Sequence, residues 1–191
     1  MTKPNTLHVR VGGVGLDAVK LALKRLAQES VLVGVPAAKA TRTTGDEAET
    51  INNATIGYLN EFGMPEANIP ERPWLMPPVR DHHKEIGQAL ARAAKSALDP
   101  NQKFDFDQRM NQVGLRTVNY IKAHIRAGIQ PPLAQYTLEQ RAARGRRGAK
   151  QELANRKAGV AASVLLAKPL IDTGAFLASI SFVFTRVNKG P

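Results

Sequence analysis

The sequence predicts an α+β fold: a small mixed or antiparallel sheet packed against two long helices, with a long basic excursion before a C-terminal helix and strand. Three observations carry that expectation. Residues 7–11 and 31–35 read as strands, residues 79–98 and 105–127 carry helical spacing, and Phe182–Val187 reads as a third strand near the C-terminus.

Leu7, Val9 and Val11 alternate with His8 and Arg10, the period-two pattern of a strand with one wet face. Gly12, Gly13 and Gly15 make a flexible turn. Leu16, Val19, Leu23 and Leu26 then recur at three- and four-residue steps opposite Lys20, Lys24 and Arg25, which predicts an amphipathic helix to about Ser30. Val31–Val35 is apolar on both alternating faces, as in a central strand covered on both sides, and Pro36 ends it. Residues 37–50 lack periodicity and predict a mobile loop. Asn52 or Asn53 can cap a helix through Phe62, with Ile56, Leu59 and Phe62 on one stripe and Gly63 just past its end. Pro65, Pro70 and Pro73 impose an extended path. Trp74 reads first as a core anchor, and second as part of a Pro-Trp-Leu-Met segment at a subunit interface.

Pro77 and Pro78 fit only the first turn of the next helix, which carries Val79, Ile86 and Leu90 and runs to Leu98. Asp99-Pro100-Asn101 breaks it. From about Asp105 to Ala127, Met110, Val113, Thr117, Ile121 and Ile125 share one side, and Gly128 closes the helix. The two helices are expected to pack as an antiparallel pair. Periodicity is poor from Ile129 onwards, so 139–167 is expected to be a mobile loop or to become helical only on assembly. Asp172 or Thr173 is the expected N-cap of a short helix containing Phe176, Leu177 and Ile180, and the strand after it is expected to join the sheet.

With 191 residues the chain is read as one domain, 1–191. It has no cysteine, which excludes disulfides and thiolate metal sites, and no apolar run of the roughly 20 residues that a membrane helix needs. A soluble, unexported, cytosolic protein without membrane contact is expected. The formal net charge of +11 implies an acidic partner, either nucleic acid or an acidic protein surface. Over half of that excess is local: Arg141, Arg144, Arg146, Arg147, Lys150, Arg156 and Lys157 face Glu152 alone. No aromatic residue interleaves with them between Arg141 and Lys157, so any nucleic-acid contact there would be non-specific and made to phosphates.

No catalytic wording survives inspection. Leu170-Ile-Asp-Thr-Gly-Ala175 spells the aspartic protease active-site word, yet too little chain follows it to build that fold, and the paired carboxylates would need a second copy. Gly12-Gly-Val-Gly15 lies between a strand and a helix but misses the dinucleotide spacing, with Ala18 at the third glycine position and Pro36 where an acid should end the second strand. His82 and His83 are adjacent on a helix and point about 100° apart, so they cannot share a metal. No enzyme activity, cofactor or metal is expected.

Two word-like stretches carry the strongest signal: Tyr58-Leu-Asn-Glu-Phe-Gly-Met64 running into Ile69-Pro-Glu-Arg-Pro-Trp-Leu-Met-Pro77, and Lys168-Pro-Leu-Ile-Asp-Thr-Gly-Ala-Phe-Leu-Ala-Ser-Ile180. A third, Pro131-Pro-Leu-Ala-Gln-Tyr-Thr-Leu138, stands between them. In order and wording these resemble the neck or tail-completion (head–tail joining) proteins of long-tailed bacteriophages. The motif positions so matched are Asn60, Glu61, Phe62, Gly63, Arg72, Pro73, Trp74, Asp172, Thr173 and Gly174. Glu71 departs from a usual alanine, and Pro77-Pro78 from a basic helix start. The resemblance implies a structural virion protein of the neck or collar, assembled in the host cytoplasm. It would form a homo-oligomeric ring of six subunits around the DNA channel. Portal, connector or head-completion protein would lie on one side, and tail terminator or tube protein on the other. The basic residues from Arg141 to Lys157 would then meet an adjoining ring or genomic DNA. A tail terminator or tube-associated protein, and a free non-specific DNA-binding protein, are the alternative readings.

Overall fold

The computed structural model describes residues 16–41, 52–98 and 105–186. The predicted strand at 7–11, its glycine turn and most of the 37–50 loop therefore lie outside the described residues. The remainder is mixed α+β and mostly helical, with one two-stranded antiparallel sheet.

Helix α1 (Leu16–Gln28) runs directly into strand β1 (Glu29–Gly34), and after a 3-10 turn at Ala37–Lys39 comes α2 (Asn53–Phe62). Helices α3 (Met76–Asp81), α4 (His83–Leu98) and α5 (Phe106–Ala127) follow, then α6 (Gln135–Ala143), α7 (Arg147–Lys157), the short α8 (Ala175–Ser179) and strand β2 (Ser181–Arg186).

Helix α5 is the axis of the molecule. Its start is held by a capping box: the Gln108 N–H donates to Asp105 Oδ1 at 2.8 Å, and the Gln108 side chain accepts from the Asp105 N–H. The five residues read as one side, Met110, Val113, Thr117, Ile121 and Ile125, are all buried. Helix α4 packs along α5 with Ala93 against Phe106 and Met110 near one end, and His82, just before α4, stacked on Tyr120 at 3.8 Å near the other. That end-to-end correspondence makes the pair antiparallel.

The sheet pairs Val31 with Phe184 and Val33 with Phe182. It rests on α5 through Phe182, which packs over Gly114, and through Phe184, whose ring meets Phe106 edge-on at 6.2 Å. Arg25 fastens α1 to this corner by ion pairs to Glu29 at 3.2 Å and Asp107 at 2.6 Å, with its guanidinium 5.2 Å from the Phe106 ring centre.

Three expectations need correction. Among the described residues strand β1 is not covered on both faces: Leu32 and its partner Val183 are exposed, while Val31 and Val33 pair with Phe184 and Phe182, which pack on α5. The helix read as continuous from Pro77 to Leu98 is two helices, broken at His82. There the His83 ring bonds the Arg80 carbonyl at 2.7 Å while the His82 ring turns aside onto Tyr120. The basic stretch is not a structureless excursion, since α6 and α7 lie within it.

The seating of the sheet on α5 makes Gly114→Ala diagnostic. Helix propensity alone would favour alanine by about 1 kcal/mol, but its Cβ would stand 2.3 Å from a ring carbon of Phe182. We expect a net destabilisation of about 1–3 kcal/mol in urea unfolding. A stabilised variant would mean that the ring does not lie there.

Candidate functional site

Asn52 caps α2 by accepting from the Thr55 N–H at 2.8 Å, and Glu61 lies buried in the last turn of the same helix. The Glu61 carboxylate is buried and accepts three backbone N–H bonds, from Trp74 at 2.7 Å, Leu75 at 2.8 Å and Met76 at 3.0 Å. It thereby caps α3 from a distant part of the chain, satisfying N–H groups that no local side chain reaches. Pro77 and Pro78 occupy the first turn of α3, as their spacing requires.

The chain reverses between Glu61 and Trp74. Gly63 has φ 72°, and a Cβ there would sit 3.0 Å from the Glu71 nitrogen, so glycine is required twice over. Asn68 is left-handed at φ 52° inside a tight turn closed by a Met64–Ile69 bridge, so the segment read as simply extended begins as a small loop. Beyond it the Arg72 N–H donates to the Asn60 carbonyl at 2.6 Å. Trp74 is the core anchor and is not available at a surface. Its indole donates to the Gly57 carbonyl at 2.9 Å, and its ring meets Phe176 edge-on at 5.1 Å.

The third word joins through Arg72, whose Nε and Nη2 donate to the carbonyls of Pro131 and Pro132 at 2.9 and 3.1 Å. The His124 ring contacts the Pro73 carbonyl at 3.2 Å from α5. Leu133 and Leu138 then form a small second core with Ala149 and Ala167. Phe62 is a further correction. It does not share a buried stripe with Ile56 and Leu59 but lies 63% exposed, its ring 5.0 Å from that of exposed Tyr58, because Glu61 takes the inward position.

The basic residues divide into two classes. Arg141 is buried, and its Nη1 donates to the carbonyls of Lys168 and Ile171 at 2.9 and 2.8 Å. Arg144 and Arg146 pair with Asp172 at 3.0 and 2.9 Å, and Arg156 pairs at 3.0 Å with Glu152, which also accepts the Ser163 N–H. Arg141, Arg144 and Arg146 therefore tie α6 and the start of α7 to residues 168–172, and Arg156 steadies Glu152, which holds Ser163; all four are structural. Only Arg147, Lys150 and Lys157 are exposed with no partner among the described residues. Helix α7 is pressed so closely on this segment that a Cβ at Gly148 would stand 1.9 Å from the Leu166 carbonyl oxygen.

Asp172 is accordingly not the cap of α8. The N-cap is Gly174, at φ 84°, and Thr173 only accepts the Ala175 N–H through its hydroxyl at 3.2 Å. Both arginines draw the Asp172 carboxylate towards α6 and α7 instead.

Where the words converge they leave an open cavity of about 370 Å³. Arg72, Arg141 and Arg144 line it, with Asp172 as the one carboxylate among its lining residues. Burial, and then the charge of Arg141, pushes the Arg72 pKa below its ordinary value. Burial lowers that of Arg141 as well; Asp172 opposes the shift, while Arg144 and Arg146 add to it. Among the described residues no group of three or more His, Cys, Asp or Glu side chains could hold a metal, and no helix is long and apolar enough to cross a membrane.

The structure thus gathers Asn60, Glu61, Gly63, Arg72, Pro73, Trp74, Asp172, Thr173 and Gly174 around one knot, and leaves Phe62 outside it. The sequence reading missed the roles of Glu61 and Arg141. The available signal was a Pro-rich helix start with no local Ser, Thr, Asp or Asn cap, which leaves its N–H groups to an acceptor from elsewhere in the chain. Comparison with protein-family models, curated protein sequences and solved structures finds no match.

Glu61→Ala should cost about 2–4 kcal/mol by leaving the N–H groups of α3 without an acceptor. Glu61→Gln, which keeps the shape but not the charge, should cost less. A change within about 0.5 kcal/mol for Glu61→Ala in thermal or urea unfolding would overturn this assignment.

Proposed function

We propose that the chain is a structural subunit of the neck of a long-tailed bacteriophage, a ring component that joins the capsid connector to the tail and acts without catalysis. The observation that carries the reading is the convergence of the three resembling words. Arg72 of the first bonds the prolines opening the second, and Trp74 of the first packs on Phe176 of the last. Residues far apart in sequence therefore behave as one structural unit, which is what a shared wording of an assembly subunit requires.

Surfaces for neighbours remain. Tyr58, Phe62, Met64 and Tyr136 are exposed, a composition typical of interface cores. In the proposed ring of six copies they face adjoining subunits, and closed symmetry can also cover exposed strand edges. A connector or head-completion protein and a tail terminator or tube protein are the axial partners. Arg147, Lys150 and Lys157 supply the long-range attraction to an acidic ring, with non-specific contact to channel DNA as the subsidiary role.

Particle imaging with a labelled chain tests the role: density is expected as a closed ring at the head–tail junction, and a label absent from the particle overturns it. Replacing Arg147, Lys150 and Lys157 by Ser should change stability by less than about 0.5 kcal/mol, since all three are exposed. The same variant should reduce the joining of heads to tails, most strongly at low salt. Normal joining at every salt concentration would leave these residues a solvated face.

A further inference from the structure

The cavity between α2, α6 and residues 169–174 combines features that a space-filling defect does not. Two of its lining residues are the buried arginines Arg72 and Arg141. Among the described residues the Arg72 side chain donates to the neutral carbonyls of Pro131 and Pro132, and the charge of Arg141 works against its own. A buried cation without a counter-charge costs several kcal/mol. Asp172, whose two oxygens are held by Arg144 and Arg146, offsets part of the charge on Arg141 but gives Arg72 no paired carboxylate.

The first turn of α6 meets the same space through Ala134 and Thr137, and no side chain caps it. The positive end of α6 thus borders the same space as the arginines. The other walls are apolar: Ile56, Ile69, Leu133, Leu170 and Phe176. A volume of about 370 Å³ suits a few side chains and is far too small for a nucleic-acid duplex.

We propose that this cavity is an acceptor site for a short acidic peptide segment of a partner protein, in which a carboxylate meets Arg72, Arg141 and the α6 N-terminus while a neighbouring aliphatic side chain fills the apolar wall. Planar guanidinium groups hold carboxylates through paired, charge-assisted hydrogen bonds. Free phosphate would satisfy the cations but leave the apolar wall wet, which favours the peptide. The inference goes beyond the neck role and does not depend on it, since binding is a property of the isolated chain.

The test is an NMR titration of the uniformly 15N-labelled full chain with acetyl-Leu-Glu-Leu-amide, its Gln counterpart and inorganic phosphate. Saturable shifts are expected at the Nε–H groups of Arg72 and Arg141 and at the amides of Gln135, Tyr136 and Thr137. The Gln peptide should bind about tenfold more weakly. Because Arg72 also anchors Pro131 and Pro132, the variants are made at the exposed rim: Arg144→Gln should weaken binding roughly threefold, and Asp172→Asn, which removes the resident carboxylate, should tighten it to a similar degree. Equal binding of the Glu and Gln peptides, saturation of the same resonances by phosphate at lower concentration than by the Glu peptide, or no shifts at millimolar peptide would each overturn the proposal.

Discussion

The carboxylate of Glu61 is the constraint on which the rest of the structure depends. It is buried, and it is satisfied by three consecutive backbone N–H groups at the start of α3. That arrangement fixes Trp74, the residue that joins the α2 loop to α5 and to Phe176. A carboxylate at a helix start is favoured both by the dipole and by the unsatisfied donors. Here the acid comes from another helix, so one interaction closes a loop, starts a helix and orients the main aromatic anchor.

Much of this was legible because it was periodic or capped. The buried side of α5, the Asp105 start, the Asn52 cap and the proline-tolerant start of α3 all follow from local rules. What was not legible was decided by contacts between distant segments. Poor periodicity from Ile129 suggested a loose excursion because α6 and α7 bury little apolar surface of their own. They are held instead by Arg141, Glu152 and the Arg144–Arg146–Asp172 cluster. In the same way Asp172 had the sequence position of a cap, but two arginines outbid the short α8 for its oxygens. Phe62 had the spacing of a buried stripe, which the hydrogen-bonding demand of α3 assigned to Glu61.

The basic segment shows how a charge count can mislead about function. Seven cations near one acid look like a binding surface, yet four of them are committed within the molecule. Structural arginines of this kind serve carbonyl groups that irregular backbone leaves unpaired, as Arg72 does for Pro131 and Pro132. The charge of this stretch that is not committed within the molecule sits on α7, where Arg147, Lys150 and Lys157 are exposed.

The sheet joins strands about 150 residues apart, with Glu29 opposite Arg186 and Gly34 opposite Ser181. During synthesis at about 5–20 residues per second, β1 leaves the ribosome roughly 8–30 seconds before its partner exists. In that interval Val31 and Val33 lack their β2 partners Phe184 and Phe182, while α2, α3 and α5 can already assemble around Trp74. The sheet is therefore completed last, and β1 without its partner β2 is a stretch that a chaperone or a neighbouring nascent chain can meet.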